Sequence, residues 1–494
     1  MGRIGAVLKN TGYLALAETV KPALSFLLIL VIARILGRDG MGSYTIILTF
    51  TGLFELIATL GVGPMIVRGI ASDPSRLSYY LNGAVGVALL ASAILPPVIL
   101  IILRALSYPT EIALGIRLLT WTLLVSILRQ FALSICEGLQ NMRLRAALSV
   151  ADNAGRLVTG IFMVLLGHGV LGIIEGMVLV RAITVVAGFL IIARHINIAL
   201  DFRLMYRSSW AFAFAGLPFL FTTIASAAFW SVNTLMLSKL SSVGDVGIYN
   251  AGSRITDILK TFIFSYQIAL LPMMSASFVR SKEQFRQECN ASIKYLAILT
   301  LPMATGISVL APRIIHLVFG HKFDPSIPVL QVLAWTVCIF SIAMVFARVL
   351  IASHNQMLDM YCNVVALIIN IVLGWILIQS HGPLGAAIAI LVSLAAFGVL
   401  EYCFVTSKVF KADVIVPLVR TAGASALMGI VVFHLKSLPL LLAILVGSLV
   451  YLAALLSIGT FSLVEIRAAR AFIVRRIADA FFQRRKNAQV GSMS

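Results

Sequence analysis

The chain has 494 residues, 60% of them hydrophobic and 12% charged, against roughly 45–50% and 25% in soluble domains. So little polar surface, with a mean hydropathy of +1.03, excludes a set of water-exposed domains and indicates a polytopic membrane protein. The net charge of +19, from 38 Lys and Arg against 19 Asp and Glu, invites a nucleic-acid reading, which the placement of the charges excludes.

At the N-terminus, Arg3 and Lys9 precede an apolar run that carries Glu18 and Lys21. That run is too long and too charged for a signal peptide, so it reads as a retained first span. Further apolar stretches bring the expectation to about fourteen transmembrane helices, near 12–34, 42–67, 79–105, 113–137, 145–166, 168–193, 209–236 and 246–274, then 293–311, 325–352, 356–379, 382–407, 414–434 and 437–460. Pro302, Pro312 and Pro328 interrupt the pattern between 293 and 352. With the N-terminus inside, 24 basic residues fall in inner segments, eight in outer loops and six within spans. This asymmetry predicts a cell-membrane protein with both termini cytoplasmic, and it assigns most of the positive excess to topology instead of nucleic acid. The connections are too short for a folded domain, which argues against a membrane-embedded polymerase or glycosyltransferase. The tail, 463–494, places Ile466, Ile473, Ile477 and Phe481 on one helical stripe among seven Lys and Arg, the pattern of a basic amphipathic helix on the inner leaflet.

Five cysteines without a Cys-x-x-Cys pair, no His-Glu-x-x-His and no Gly-x-x-x-x-Gly-Lys-[Ser/Thr] leave no expectation of a metal, cofactor, ATPase or catalytic centre. An internal repeat is visible instead. Gly42-Ser-Tyr44 returns 205 residues later as Gly247-Ile-Tyr249, and His168-Gly-Val-Leu-Gly172 returns 213 later as His381-Gly-Pro-Leu-Gly385. The matches pair spans 1–6 with 7–12 as two pseudo-symmetric six-helix lobes, 1–200 and 201–410, followed by two C-terminal helices within 411–462. Lobes in the same orientation enclose a central cavity suited to alternating access.

Charges within spans cost about 2.5–3.5 kcal/mol each on insertion scales and therefore face a bundle interior or a cavity. Glu18 and Lys21 share a face of span one ahead of Pro22, and Asp152 and Arg156 stand at i,i+4 in span five. Span two has Glu55, span six has Glu175 and Arg181, and span eight has Arg254, Asp257 and Lys260. Glu55 and Lys260 are 205 apart, which predicts that they meet across the cavity; Arg348 and Glu401 read as structural charges near span ends. Lys21, Arg156, Arg181, Arg254 and Lys260 are the candidate substrate-binding cations, because ammonium and guanidinium groups grip phosphate oxygens. Glu18, Glu55, Asp152 and Asp257 are the candidates for H⁺ or Na⁺ coupling.

Ala33-Arg-Ile-Leu-Gly37-Arg-Asp-Gly40-Met-Gly42-Ser-Tyr44, continuing to Leu60-Gly-Val-Gly63 and Val67-Arg68, resembles the first hairpin of the oligosaccharide flippases of polysaccharide biosynthesis. Those flippases belong to the multidrug/oligosaccharidyl-lipid/polysaccharide exporter superfamily. Val246-Gly-Ile-Tyr249-Asn-Ala-Gly-Ser-Arg254, Ala269-Leu-Leu-Pro272 and Gly216-Leu-Pro218 resemble other signatures of the same family. The resemblance implies a two-lobed alternating-access flippase that carries a polyprenyl-diphosphate oligosaccharide to the outer leaflet. Its basic lumen would include Lys21 and Arg254, and its partners would be membrane lipids and possible polymerases or glycosyltransferases. The alternative is an ion-coupled multidrug extruder of the same superfamily, with a cavity of carboxylates and aromatics.

Overall fold

The computed structural model describes residues 3–195, 201–435 and 438–460, with side chains from Ala17 onward apart from a few between 192 and 225. The tail 463–494 lies outside them. The described residues form helices and no strand, the arrangement in which an apolar segment satisfies its own backbone within a bilayer. The helices are α1 (Arg3–Ala58), α2 (Gly63–Ser72), α3 (Leu77–Leu106), α4 (Thr110–Trp121), α5 (Leu123–Gly138), α6 (Met142–Leu165) and α7 (Gly169–His195). They continue as α8 (Phe202–Leu240), α9 (Val243–Arg280), α10 (Lys282–Val318), α11 (Ser326–Ala352), α12 (Gln356–Lys408), α13 (Ile415–His434) and α14 (Leu440–Ser457). Large apolar side chains such as Leu165, Ile101 and Leu441 are 66–75% exposed, as lipid-facing residues are.

Ten described helices are long and apolar enough to cross a membrane, or eleven if α4 and α5, bent by 54°, count as one span. The two longest of the ten are each divided at a glycine. Gly37 interrupts α1 at φ 70°, and Gly382 interrupts α12 at φ 53° just before Pro383, conformations that glycine adopts without penalty. The expected spans 12–34, 356–379 and 382–407 fall on arms of these broken helices, whereas 42–67 begins on the second arm of α1 and runs past its end at Ala58 into α2. Gly382 has its repeat counterpart in Gly169, also at positive φ (61°), so the His-Gly-x-Leu-Gly match marks the same backbone turn twice.

Packing follows the repeat. The glycine of each Gly-x-Tyr match approaches the other hairpin's backbone: a Cβ on Gly42 would lie 1.9 Å from the Val243 carbonyl oxygen, and one on Gly247 would lie 2.1 Å from that of Arg38. Arg38 and Val243 are themselves 205 apart, so one contact is made twice. Four positions earlier the relation recurs. Arg34 donates to the Val318 carbonyl at 2.8 Å and to that of Leu317 at the C-terminus of α10, and Lys239 donates to the Leu106 carbonyl at the C-terminus of α3. Cations are favoured at helix C-termini, where unpaired carbonyls and the helix dipole attract them. Lys239 also lies 3.3 Å above the Tyr108 ring.

Helix α8 connects the two groups of helices. Gly83 and Gly86 of α3 leave room for Phe212 and Met205 of its first half, and Asn233 of its second half donates to Asn370 of α12 at 3.1 Å. Helices α13 and α14 pack on α10, where Tyr451 donates to the Ile298 carbonyl at 2.7 Å.

Candidate functional site: charged cavities within the bundle

Helix α9 is held at its start by a capping box in which Ser242 accepts from the Asp245 N–H and Asp245 accepts from the Ser242 N–H. From that start, Arg254, Asp257 and Lys260 recur at three-residue spacing, so they turn toward a shared space. That space comprises two adjoining cavities of about 540 and 250 Å³ with Trp230, Asp257 and Lys260 in both walls. Lys260 lies 3.6 Å from Asp257 and 4.9 Å from the Trp230 ring centre, an ion pair reinforced by a cation–π contact. Arg254 lines the smaller cavity and Arg348 the larger, and neither has a carboxylate within 4 Å among the described residues. Two guanidinium groups with no carboxylate in ion-pair contact, facing a cavity at membrane depth, attract an anion, although Asp359 in the same wall partly offsets the charge of Arg348. Much of the larger wall is aromatic and aliphatic, with Phe229, Phe264, Phe340 and Phe397, and Ser226, Thr261, Asn363 and Asp359 supply its other polar groups.

A third cavity, of about 280 Å³, is built by α1, α5 and α6. Lys21, Arg129, Arg145 and Arg156 line it with Glu137 and Asp152. Asp152, almost wholly buried, takes the Arg156 guanidinium one turn along α6 and lies 3.8 Å from Arg129 of α5. Lys21 binds Glu18 at 2.6 Å, and Arg145 reaches both Glu18 at 3.6 Å and Glu137 at 3.1 Å. Four cations against the two carboxylates of the wall, or three with Glu18 beside it, leave it net positive.

The family described as polysaccharide biosynthesis protein matches residues 7–278, more than half of the chain, and MatE matches residues 218–376. The chain belongs to the polysaccharide biosynthesis protein family. A probable low-salt glycan biosynthesis flippase, Agl15 of Haloferax volcanii, is 24% identical over 453 residues, covering 89% of this chain and 93% of that protein. The succinoglycan biosynthesis transport protein ExoT of Rhizobium meliloti is 22% identical, covering 91% and 85%. Among solved structures, the lipid II flippase MurJ in an inward closed conformation superposes with a TM-score of 0.73 at 16% identity, over 89% of this chain and 97% of that one. An inward-facing multidrug resistance MATE transporter reaches 0.65 at 17% identity, over 79% and 94%. The fold is therefore that of a multi-pass helical transporter.

In this member of the polysaccharide biosynthesis protein family, Arg254, Asp257 and Lys260 stand together, and Lys21, Asp152 and Arg156 stand together with Glu18 beside them. Arg181 and Glu55 lie outside these three cavities. Arg181 of α7 donates to Glu55 of α1 and, at 2.6 Å, to Ser126 of α5, which fastens three helices. The expected meeting of Glu55 with Lys260 is corrected by this geometry, because each charge has a nearer partner on its own side of the molecule. The sequence reading missed Arg129 and Arg145, which it counted as inner-loop charges, and it missed Asp359 and Trp230. For Arg129 a signal was present: it falls eight residues inside the expected fourth span. Arg348, whose place near a span end suggests a structural charge, lines the larger cavity with its side chain.

Proposed function

We propose that this protein is a flippase for a polyprenyl-diphosphate-linked oligosaccharide, moving it from the inner to the outer leaflet of the cell membrane for surface polysaccharide export. The observation that carries the reading is the pair of charged cavities in the transporter fold, one with Arg254, Lys260 and Arg348 and the other with Lys21, Arg129, Arg145 and Arg156. Guanidinium forks and ammonium groups bind diphosphate oxygens, and the aromatic wall suits sugar rings or the lipid. Fourteen crossings in two lobes, with both termini cytoplasmic, agree with the two broken helices and with the basic asymmetry of the loops. The close contact of the hairpins at Gly42 and Gly247 then closes the outer side, and transport proceeds by opening it. The names of the relatives support a lipid-linked glycan as cargo, and glycosyltransferases and a polymerase act before and after the protein. The role is binding and movement, without a catalytic step.

Coupling to H⁺ or Na⁺ falls to the carboxylates that share a cation with the substrate. A diphosphate that engages Lys260 releases Asp257, which is then free to take a proton or a sodium ion; Asp152 and Glu18 stand in the same relation to Arg156 and Lys21.

Deletion of the gene should leave polyprenyl-linked repeat units on the cytoplasmic face, and Lys21→Ala or Arg254→Ala should fail to restore export. One observation favours ion-coupled multidrug extrusion: the larger cavity combines four Phe with Asp257 and Asp359. Normal surface polysaccharide with altered drug tolerance in the deletion strain would decide for that reading.

A further inference from the structure

The last turn of α10 and the 3₁₀ turn His321–Phe323 bring His316, His321 and Asp324 together, with one ligand atom from each within 4.8 Å of the others. His316 Nε2 lies 2.7 Å and His321 Nδ1 3.9 Å from Asp324 Oδ1, and the two imidazole rings are 4.2 Å apart. None of the three residues lines the charged cavities. Two imidazole nitrogens and one carboxylate oxygen form a three-ligand set typical of Zn²⁺, with the fourth position left for water. Ligand atoms around tetrahedral zinc lie about 3.3 Å apart for bonds of about 2.0–2.1 Å, so shifts of about 1.5 Å or less would seat the ion. His321 and Asp324 are exposed, which leaves an entry path.

The turn is also pre-organised. Phe319 and Phe323 are buried on either side of it, Gly320 adopts φ 88°, and the Asp324 N–H donates to the His321 carbonyl at 3.1 Å. Arg34 of α1 holds the same segment from the other side: its guanidinium donates to the carbonyls of Leu317 and Val318, and a Cβ on Gly320 would lie 3.3 Å from its Nη1. The ligands therefore sit on the stretch of backbone through which α1 grips α10.

The geometry points to a transition-metal site formed by His316, His321 and Asp324, at which Zn²⁺ fixes the α10 turn in the shape that Arg34 grips. Bound zinc braces the contact between α1 and α10. The resulting brake on transport rests on the alternating-access reading, whereas metal binding and backbone protection report on the site itself.

Titration of the tag-free, full-length protein in nanodiscs with ZnCl₂ should show one ion per chain by calorimetry. His321→Ala should weaken binding by more than about tenfold, since loss of a whole ligand exceeds the loss from an outer-shell partner. His354→Ala, a histidine outside this cluster, should leave binding unchanged. In hydrogen exchange, zinc should slow the amides of 316–326 and of α1 around Arg34 together, and His321→Ala should abolish both effects. Equal zinc affinity in the protein and in His321→Ala would overturn the site. Protection confined to 316–326 would overturn the brace. If zinc binds as expected while flipping proceeds unchanged, the brake on transport fails and the metal site stands, whereas absence of flipping with or without zinc would count against the flippase reading alone.

Discussion

Arg254 has no carboxylate partner among the described residues, whereas Lys260, two turns further along α9, is already paired with Asp257. The two cations should therefore respond differently to loss. On the proposed function Arg254→Ala removes a group whose counter-ion would be the cargo, and flipping measured in proteoliposomes should fall by more than about tenfold with the fold intact, as expected when a charged contact worth about 1.5–3 kcal/mol is lost. Arg181→Ala should act on stability. The variant strands Glu55 beside a buried cavity, at a cost on the order of 3–5 kcal/mol by analogy with buried pairs elsewhere, and it should lower the thermal midpoint in detergent; Arg181→Met with Glu55→Gln should recover most of the loss. At this scale the sequence was only partly legible. Charges deep in apolar runs, such as Lys21, Asp152 and Arg254, announce themselves by their cost. Arg145 and Arg348 lie near helix ends, where a snorkelling side chain and a cavity-facing one have the same pattern. Trp230 carried no signal, because an aromatic residue is ordinary on an apolar helix face.

Two of the breaks that the hydropathy pattern reads as loops are kinks at one glycine. Gly37 and Gly382 leave the helical region of φ and ψ, and a helix lies on each side of each. An apolar scan finds both helices of each pair but cannot see that no loop separates them, since a glycine with positive φ leaves the same trace as a short turn. The approach at Gly42 gives a sharper prediction. A methyl group there would be driven into the Val243 carbonyl, so Gly42→Ala should cost roughly 1–3 kcal/mol in the closed arrangement and favour its opening. With Ser253→Cys placed in the smaller cavity on a Cys403→Ser background, labelling by a membrane-impermeant thiol reagent from the outside should rise in Gly42→Ala. Unchanged labelling would mean that the hairpins do not form the barrier.

The whole molecule was legible through its repeat and its family signatures, which lie on the hairpins that touch. How the repeats face one another was not legible, because a sequence offset records equivalence and not contact. Glu55 and Lys260 are equivalent by offset and yet pair elsewhere; Arg38 with Gly247 and Val243 with Gly42 are the relation that the offset conceals. Cross-linking tests the arrangement directly. A Tyr108→Cys and Ser238→Cys pair, at positions whose hydroxyls lie 2.9 Å apart, on the Cys403→Ser background should be joined by a short bifunctional thiol reagent that is cleaved on reduction; joining should arrest flipping and reduction should release it. The same two contacts, with Arg34 and Lys239 each gripping the end of a helix in the opposite group, have the form of a self-complementary dimer interface, in which residue i of one half meets residue j of the other and j meets i. In a true dimer, any change at such an interface acts twice and identically. Fused into one chain, the two copies vary independently, and here one grip has become a guanidinium and the other an ammonium resting on a tyrosine ring. The two sides of the barrier can therefore differ in strength, so that one lets go before the other.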